Sequence, residues 1–285
     1  MRGLARHPAA RGLADDAAVL EVGGETLILT HDMLVEGVHF LARQDPADVA
    51  WKLVATNMSD LAAKGAEPVG VLLGYMLGHD DARFLVGLEE ALRAYNVPLL
   101  GGDTVGGPSI GVRGPQALGL TAIGRATHRP VPSRSGAQAG DTLWITGPVG
   151  AAMIGLEALQ ARSGDSLAYR RPTAMLSEGR ALAPHVTAMM DVSDGLLLDA
   201  LRMGEASRVT LAIDSKAVPI AAPEARRAEA LRWGDDYQLL FTLPPGTTPP
   251  VPATRIGEAI PAQEAALLLD GSPLSPDDSP GFEHR

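Results

Sequence analysis

Apolar residues recur along this chain in two rhythms, and the changes of rhythm mark its elements. The stretch AAVLEVGGETLILTHD holds two apolar runs around Gly23 and Gly24, the pattern of a hairpin whose second strand ends on Asp32. From Asp45 the spacing turns helical: Asp45 stands as a cap, Pro46 takes the first helical position, and Val49, Leu53, Val54 and Leu61 share a face until Gly65. VGVLLGYML predicts a buried strand, DARFLVGLEEALRAYN a helix over 81–96, and VPLLGGD a strand closing on two glycines and Asp103.

After a further strand, ALGLTAIGRA, the segment THRPVPSRSGAQAGD is rich in Pro, Ser and Gly, and a lobe boundary is placed there, giving lobes 1–126 and 127–285. The second half predicts a strand at TLWIT, a glycine-rich GPVGAAMIG leading into a helix, and a strand at TAMM. That strand runs into MMDVSDGLLLDA, where an apolar run stops and a helical pattern begins. A last strand, YQLLFTL, precedes the loop PPGTTPPVPAT. Strands and helices mix without strict alternation, which predicts α+β with substantial antiparallel sheet rather than a doubly wound parallel sheet.

Composition narrows the partners. A chain of 285 residues with 46% apolar residues can bury one large core or two ordinary ones, and its length favours two. The net charge of −10, with no basic run to offset it, opposes nucleic-acid binding. With no cysteine, disulfides, thiolate metal sites and thiol nucleophiles are excluded, so catalysis must use oxygen and nitrogen groups. The longest apolar stretch, VGVLLGYMLG, is too short to span a bilayer, and the start lacks the apolar middle of a secretory signal. A cytoplasmic protein without membrane partners is expected.

The acids then change the picture. Asp15 and Asp16, Asp32, Asp60, Asp103, and Asp191 with Asp194 around Ser193 bring carboxylates from five segments to strand ends or turns. Aspartate is common in turns and caps, and Asp80, Asp81, Asp277 and Asp278 are read as no more than that. LLGGD and DVSDG differ in pairing acids with small residues, where a bulky anion can approach the backbone. Convergent carboxylates repel unless a cation lies between them, and Mg²⁺ is held by one or two carboxylates together with phosphate oxygens and water. The acids therefore point to Mg²⁺ and polyphosphate, with Arg125 and Lys64 as candidate phosphate contacts. No Walker A sequence and no protein-kinase motif set is present.

Eight motifs in order, ADDAAVL, LTHDMLVEGVHF, NMSDLAAKGAEP, LLGGDTVGGP, AIGRA, RSGAQAGDTLWITG, MMDVSDGLLLD and GDDYQLLFT, resemble those of the thiamine-monophosphate kinases, in the aminoimidazole-ribotide-synthetase-like superfamily. The resemblance implies a homodimer in which N-terminal strands form a barrel across the two-fold, while a C-terminal α/β lobe closes over the nucleotide. It implies transfer of the γ-phosphoryl of ATP to thiamine monophosphate without a protein nucleophile. By it, Asp16, Thr30, Asp32, Asp60, Asp103, Asp191 and Asp194 match Mg²⁺ positions, with Asp15 beside them and His31 contributing through its backbone oxygen. Asp16, Thr30, Tyr95, Gly102, Asp103, Arg125 and Ser193 match ATP contacts, and His39, Asp235 and Phe282 match contacts to the acceptor.

The chain departs from the family pattern at Ala14, His31, Val105, Gly106, Trp233 and Asp235, and the helix before the first motif is largely missing. Two alternatives stay open: another ATP-dependent enzyme of the superfamily acting on an amide or carbamoyl group, and a weakly catalytic dimeric nucleotide-binding protein.

Overall fold

The computed structural model describes residues 2–106 and 114–282; Gly107 and Pro108 of the GGDTVGGP motif and the last three residues of GFEHR lie outside them. Ala18–Val22 (β1), Glu25–Val35 (β2), Ala66–Met76 (β3), Leu99–Val105 (β4) and Ala117–Ala126 (β5) form a sheet in the order β1-β2-β5-β3-β4. Only the β3–β4 pair is parallel; the others are antiparallel. Two helices, Pro46–Ala63 (α1) and Asp81–Ala94 (α2), accompany this sheet.

Helix α1 starts as its sequence dictates: the Asp45 side chain accepts from Ala47 N at 3.0 Å, Pro46 follows, and Gly65 closes the end in the left-handed region. It is buried almost all round, because it lies between this sheet and the second half of the molecule. Lys52, Asn57, Ser59 and Asp60 are therefore buried polar residues on a core helix, and each must find a partner.

The second sheet has seven strands in the order β12-β11-β8-β10-β6-β9-β7. They are Thr142–Ile145 (β6), Ala188–Asp191 (β7), Thr210–Ile213 (β8), Leu239–Leu243 (β9), Thr254–Ile260 (β10), Leu267–Leu269 (β11) and Ser272–Leu274 (β12). Helices Ala151–Ala161 (α3), Leu167–Arg170 (α4), Leu176–Leu182 (α5), Leu196–Ser207 (α6) and Arg227–Ala230 (α7) complete it. This is the expected α+β arrangement, with mixed and mainly antiparallel sheets. Among the described residues no helix is long and apolar enough to cross a membrane.

Two expectations need correction. Strand β2 does not end on Asp32 but runs to Val35, because its ladder with β5 continues to the Val35–Ala117 pair. The strand YQLLFTL is not the last: β10, β11 and β12 follow, and β8 precedes it. The additional strands are short or, like TRIGEAI, bury few side chains, so their apolar rhythm is weak.

Helices α1 and α2 touch through a glycine. A Cβ on Gly87 would sit 2.1 Å from the Ala47 carbonyl oxygen, a contact only a shift of backbone could relieve. Gly87→Ala is expected to cost about 1–3 kcal/mol, read as a lower midpoint of urea unfolding.

Candidate active site

The loop before β1, helix α1 and the end of β7 bring Asp16, Asp60 and Asp191 together, with carboxylate oxygens within 4.8 Å of one another. All three line a cavity of about 850 Å³. Each is oriented by a neighbour. Asp191 accepts from Ser59 Oγ at 2.6 Å, Asp60 accepts a short hydrogen bond from Thr30, and Asp16 pairs with Lys64 at 2.7 Å and Arg134 at 2.5 Å. Thr30 faces α1 from β2, and Asn57 Oδ1 accepts from the backbone of Asp32 at 3.2 Å, so α1 braces the strand carrying three of the predicted ligands, Thr30, His31 and Asp32.

Burial and mutual repulsion set the protonation of this group. Burial, then the charges of Asp32, Asp191 and Asp16, push Asp60 well above the usual carboxylate range. Burial and then Asp16 push Asp191 up to about 8. Lys64 moves the other way: burial opposes its charge, yet Asp16 and Asp15 outweigh burial and raise it. Asp15 is lowered, because Lys64 and Arg11 overcome a large burial penalty. Its oxygens lie 2.5 Å from each of those cations and 2.8 Å from Ser133 Oγ. Asp15 thus anchors the loop that presents Asp16. Lys64, expected at phosphate, is instead fully buried and committed to Asp15 and Asp16.

These residues fit a hard divalent cation. The donors are all oxygen, and Mg²⁺ with ligands at about 2.1 Å spans oxygens up to about 4.2 Å apart, comparable to the spacing seen here. Asp32 and Asp194 line the same cavity. Asp194 pairs with Arg202 at 2.5 Å, and its backbone N–H and that of Ser193 donate to the buried Asp199 at 3.0 and 3.1 Å. Burial and the Asp194 charge raise Asp199 to about 7.

The cavity also carries His39, Asp235 and Phe282. His39 Nδ1 accepts from Val35 N at 3.0 Å, which leaves the ring hydrogen on Nε2 in the neutral form. The segment with Asp235 is laid against the DVSDG turn: Asp235 N donates to Ser193 O at 2.8 Å, and a Cβ on Gly234 would meet that oxygen at 2.3 Å. Phe282 N donates to Asp194 O at 2.8 Å, pinning the C-terminal segment to the same turn. His31 also lines the cavity, with Nδ1 2.9 Å from Thr121 Oγ1.

Five of the predicted residues do not line this cavity; one of them, Thr30, sits behind it against Asp60. Gly102 and Asp103 lie on the exposed edge strand β4, where a Cβ on Gly102 would strike Leu73 O at 2.0 Å, so packing alone demands that glycine. Arg125 pairs with Glu25 at 3.0 Å on the surface. Tyr95 packs beside Trp51 and its hydroxyl accepts from Ala174 N at 3.1 Å. Conversely, sequence reading missed Arg134, Arg202 and Asp199. Arg134 sits in the segment where the lobe boundary is placed, and its position at the head of the RSGAQAGDTLWITG motif is the signal that could have drawn attention to it.

The fold and this acidic cavity agree with the family comparison, which defines the class first. Residues 14–126 match the N-terminal domain, and residues 138–268 the C-terminal domain, of the AIR synthase related proteins. The thiamine-monophosphate kinase of Escherichia coli (strain K12) is 34% identical over 307 residues, covering 96% of this chain and 91% of that protein. A solved structure of AaThiL complexed with AMPPCP and TMP is 30% identical with a TM-score of 0.81, covering 92% of this chain and 89% of that one. The thiamine-monophosphate kinase structure from Stenotrophomonas maltophilia K279a is 32% identical with a TM-score of 0.79, covering 96% of this chain and 94% of that one. The chain belongs to the thiamine-monophosphate kinase family.

The raised acids give a pH dependence with a definite sign. Asp60 and Asp191 hold protons in the folded chain at pH values where the unfolded chain has lost them, so stability falls as pH rises from about 4 toward 8. Asp15 and Lys64 act outside that window, below and above it. Urea unfolding in the presence of a chelator should show lower stability at about pH 8 than at about pH 5, by at most about 1.4 kcal/mol per pH unit per proton, and Asp191→Asn should flatten the slope.

Proposed function

We propose that this chain transfers the γ-phosphoryl group of ATP to thiamine monophosphate, forming thiamine diphosphate and ADP, with Mg²⁺ as its metal. One observation carries the reading: Asp16, Asp60 and Asp191 converge in a cavity whose lining also holds His39, Asp235 and Phe282. A polyphosphate site and an acceptor site thereby share one enclosure. Mg²⁺, when bound, neutralises the polyphosphate and helps align the transferred group.

The chain's residues divide the remaining work. Asp16, Asp60 and Asp191, with Asp32, Asp194, Thr30 and the backbone oxygen of His31, form the metal set, and Asp15 holds Asp16 in place. Ser193, at the DVSDG turn, contacts ATP. The acceptor phosphate is already an anion at neutral pH, so no general base and no protein nucleophile is needed, only neutralised charge and in-line placement. The Nε2–H of His39 donates to that phosphate, Asp235 receives the aminopyrimidine, and Phe282 flanks the ring. Asp103 at the metal, with Gly102, Arg125 and Tyr95 at ATP, belongs to the reading through the family motifs, since these residues lie off the cavity wall.

The reading extends to organisation. Residues 1–126 form the ATP, Mg²⁺ and dimerisation domain, and residues 127–285 complete the nucleotide and substrate site. The protein is read as a cytoplasmic homodimer, and the dimer is supported by the outer face of the first sheet, where Met33, Leu72 and Leu100 are 52%, 40% and 53% exposed on an apolar surface. Burying that face between two copies removes its apolar area from water.

Chromatography after incubation with ATP, Mg²⁺ and thiamine monophosphate should show thiamine diphosphate and ADP in equal amounts, and neither without the metal. ATP binding without either product would overturn the reading. Asp103→Asn should abolish turnover with the fold retained; full activity in that variant removes Asp103 from the site. His39→Asn should raise KM for thiamine monophosphate about tenfold with little change for ATP, consistent with loss of one charge-assisted hydrogen bond.

A further inference from the structure

Lys52 is a charged residue in the interior of α1 with a fully buried side chain, and its ammonium has three neighbours. It donates to His39 O at 3.1 Å and to Asp235 Oδ2 at 2.8 Å, and it lies 4.0 Å from the centre of the Tyr169 ring. Tyr169 OH donates to the same His39 carbonyl at 3.0 Å, and Tyr237 OH donates to the other Asp235 oxygen at 2.8 Å. Both carboxylate oxygens of Asp235 are thereby held, one from α1 and one from its own loop.

The backbone of that loop is strained. Asp235 and Tyr237 have φ of +66° and +52°, a region that residues with side chains rarely enter and that persists only when the surroundings over-determine it. Between them Asp236 accepts from Gly150 N at 2.6 Å and Ala152 N at 3.1 Å, which fixes the loop to the start of α3. The loop is thus tied at three consecutive residues. The Lys52 tie reaches across to the segment carrying His39.

We propose that Lys52 is a positioning residue for the acceptor: its buried ammonium joins the backbone of His39 to the carboxylate of Asp235 and so fixes the separation of two contacts that come from different halves of the chain. The inference rests on the assignment of His39 and Asp235 to the thiamine monophosphate site. Lys52 acts through these residues and does not itself line the cavity. The fixed separation selects an acceptor that presents an anionic phosphate at one end and a hydrogen-bond donor to a carboxylate at the other.

Calorimetric binding decides the matter independently of turnover. Dissociation constants for thiamine monophosphate and for Mg-ATP are measured on the full chain as wild type, Lys52→Met, Asp235→Asn and the double variant. Lys52→Met should weaken thiamine monophosphate about tenfold or more and Mg-ATP less than about twofold. The double variant should bind thiamine monophosphate no more weakly than Asp235→Asn alone, because the lysine has lost the group it positions. Equal weakening of both ligands, or losses that multiply in the double variant, would overturn the proposal. Should Lys52→Met fail to fold, the double variant, which leaves no unpaired charge, still makes the comparison with Asp235→Asn. Wild-type protein that binds thiamine monophosphate but makes no product sinks the kinase reading and leaves this test intact; wild-type protein that does not bind it overturns both.

Discussion

Three buried carboxylates within 4.8 Å of one another are the constraint on which the rest of this structure depends. Like charges in a medium of low polarisability repel strongly, and the raised pKa values of Asp60 and Asp191 record burial first and that repulsion second. The chain offsets part of it with cations placed behind the acids. Lys64 and Arg134 hold Asp16, and Lys64 and Arg11 hold Asp15. The remaining deficit of positive charge faces the cavity, where a divalent cation fits.

Helix α1 makes this arrangement possible. Its apolar face fills the core under the first sheet, and its polar side chains project to groups on other elements: Asn57 to β2, Ser59 to Asp191, Asp60 to Thr30 and Lys52 to Asp235. At the start of the helix, Asp48 is gripped by Arg170 and Arg171, and Arg171 also reaches Glu90 at 2.8 Å. A helix buried on all sides with these partners behaves as a pillar between the two sheets. Removing one partner leaves a buried polar group unsatisfied, which costs more than the bond itself contributes.

The departures from the family pattern look different once placed. Asp235 is one methylene shorter than glutamate, yet Lys52 and Tyr237 hold both its oxygens, so its position is defined by neighbours rather than by side-chain length. Trp233 lines the cavity and packs near the small apolar cluster of Met153, Ala222 and Ala230. The His31 ring bonds Thr121 on the neighbouring strand. Val105 is half exposed on edge strand β4, and nothing in the structure explains that substitution.

Much of this was legible in the sequence. Helix α1 was written in its cap, proline and closing glycine; β5 and β9 were written in continuous apolar runs; the acids were marked by the small residues beside them. Local chemistry sufficed there, because capping, turn formation and apolar periodicity involve residues close in the chain. Strands β8, β10, β11 and β12 were not legible, because they are short or bury few side chains and, apart from the β11–β12 hairpin, their pairing comes from neighbours far along the chain. The same holds within the site. Sequence named Asp16, Asp60 and Asp191 as candidates, but only the tertiary structure decided that these three meet, that Lys64 is consumed by Asp15 and Asp16, and that Lys52, Arg134 and Arg202 pair with acids of the cavity. A charge acts through space with a strength set by distance and burial, and neither quantity exists until α1 is packed between the two sheets.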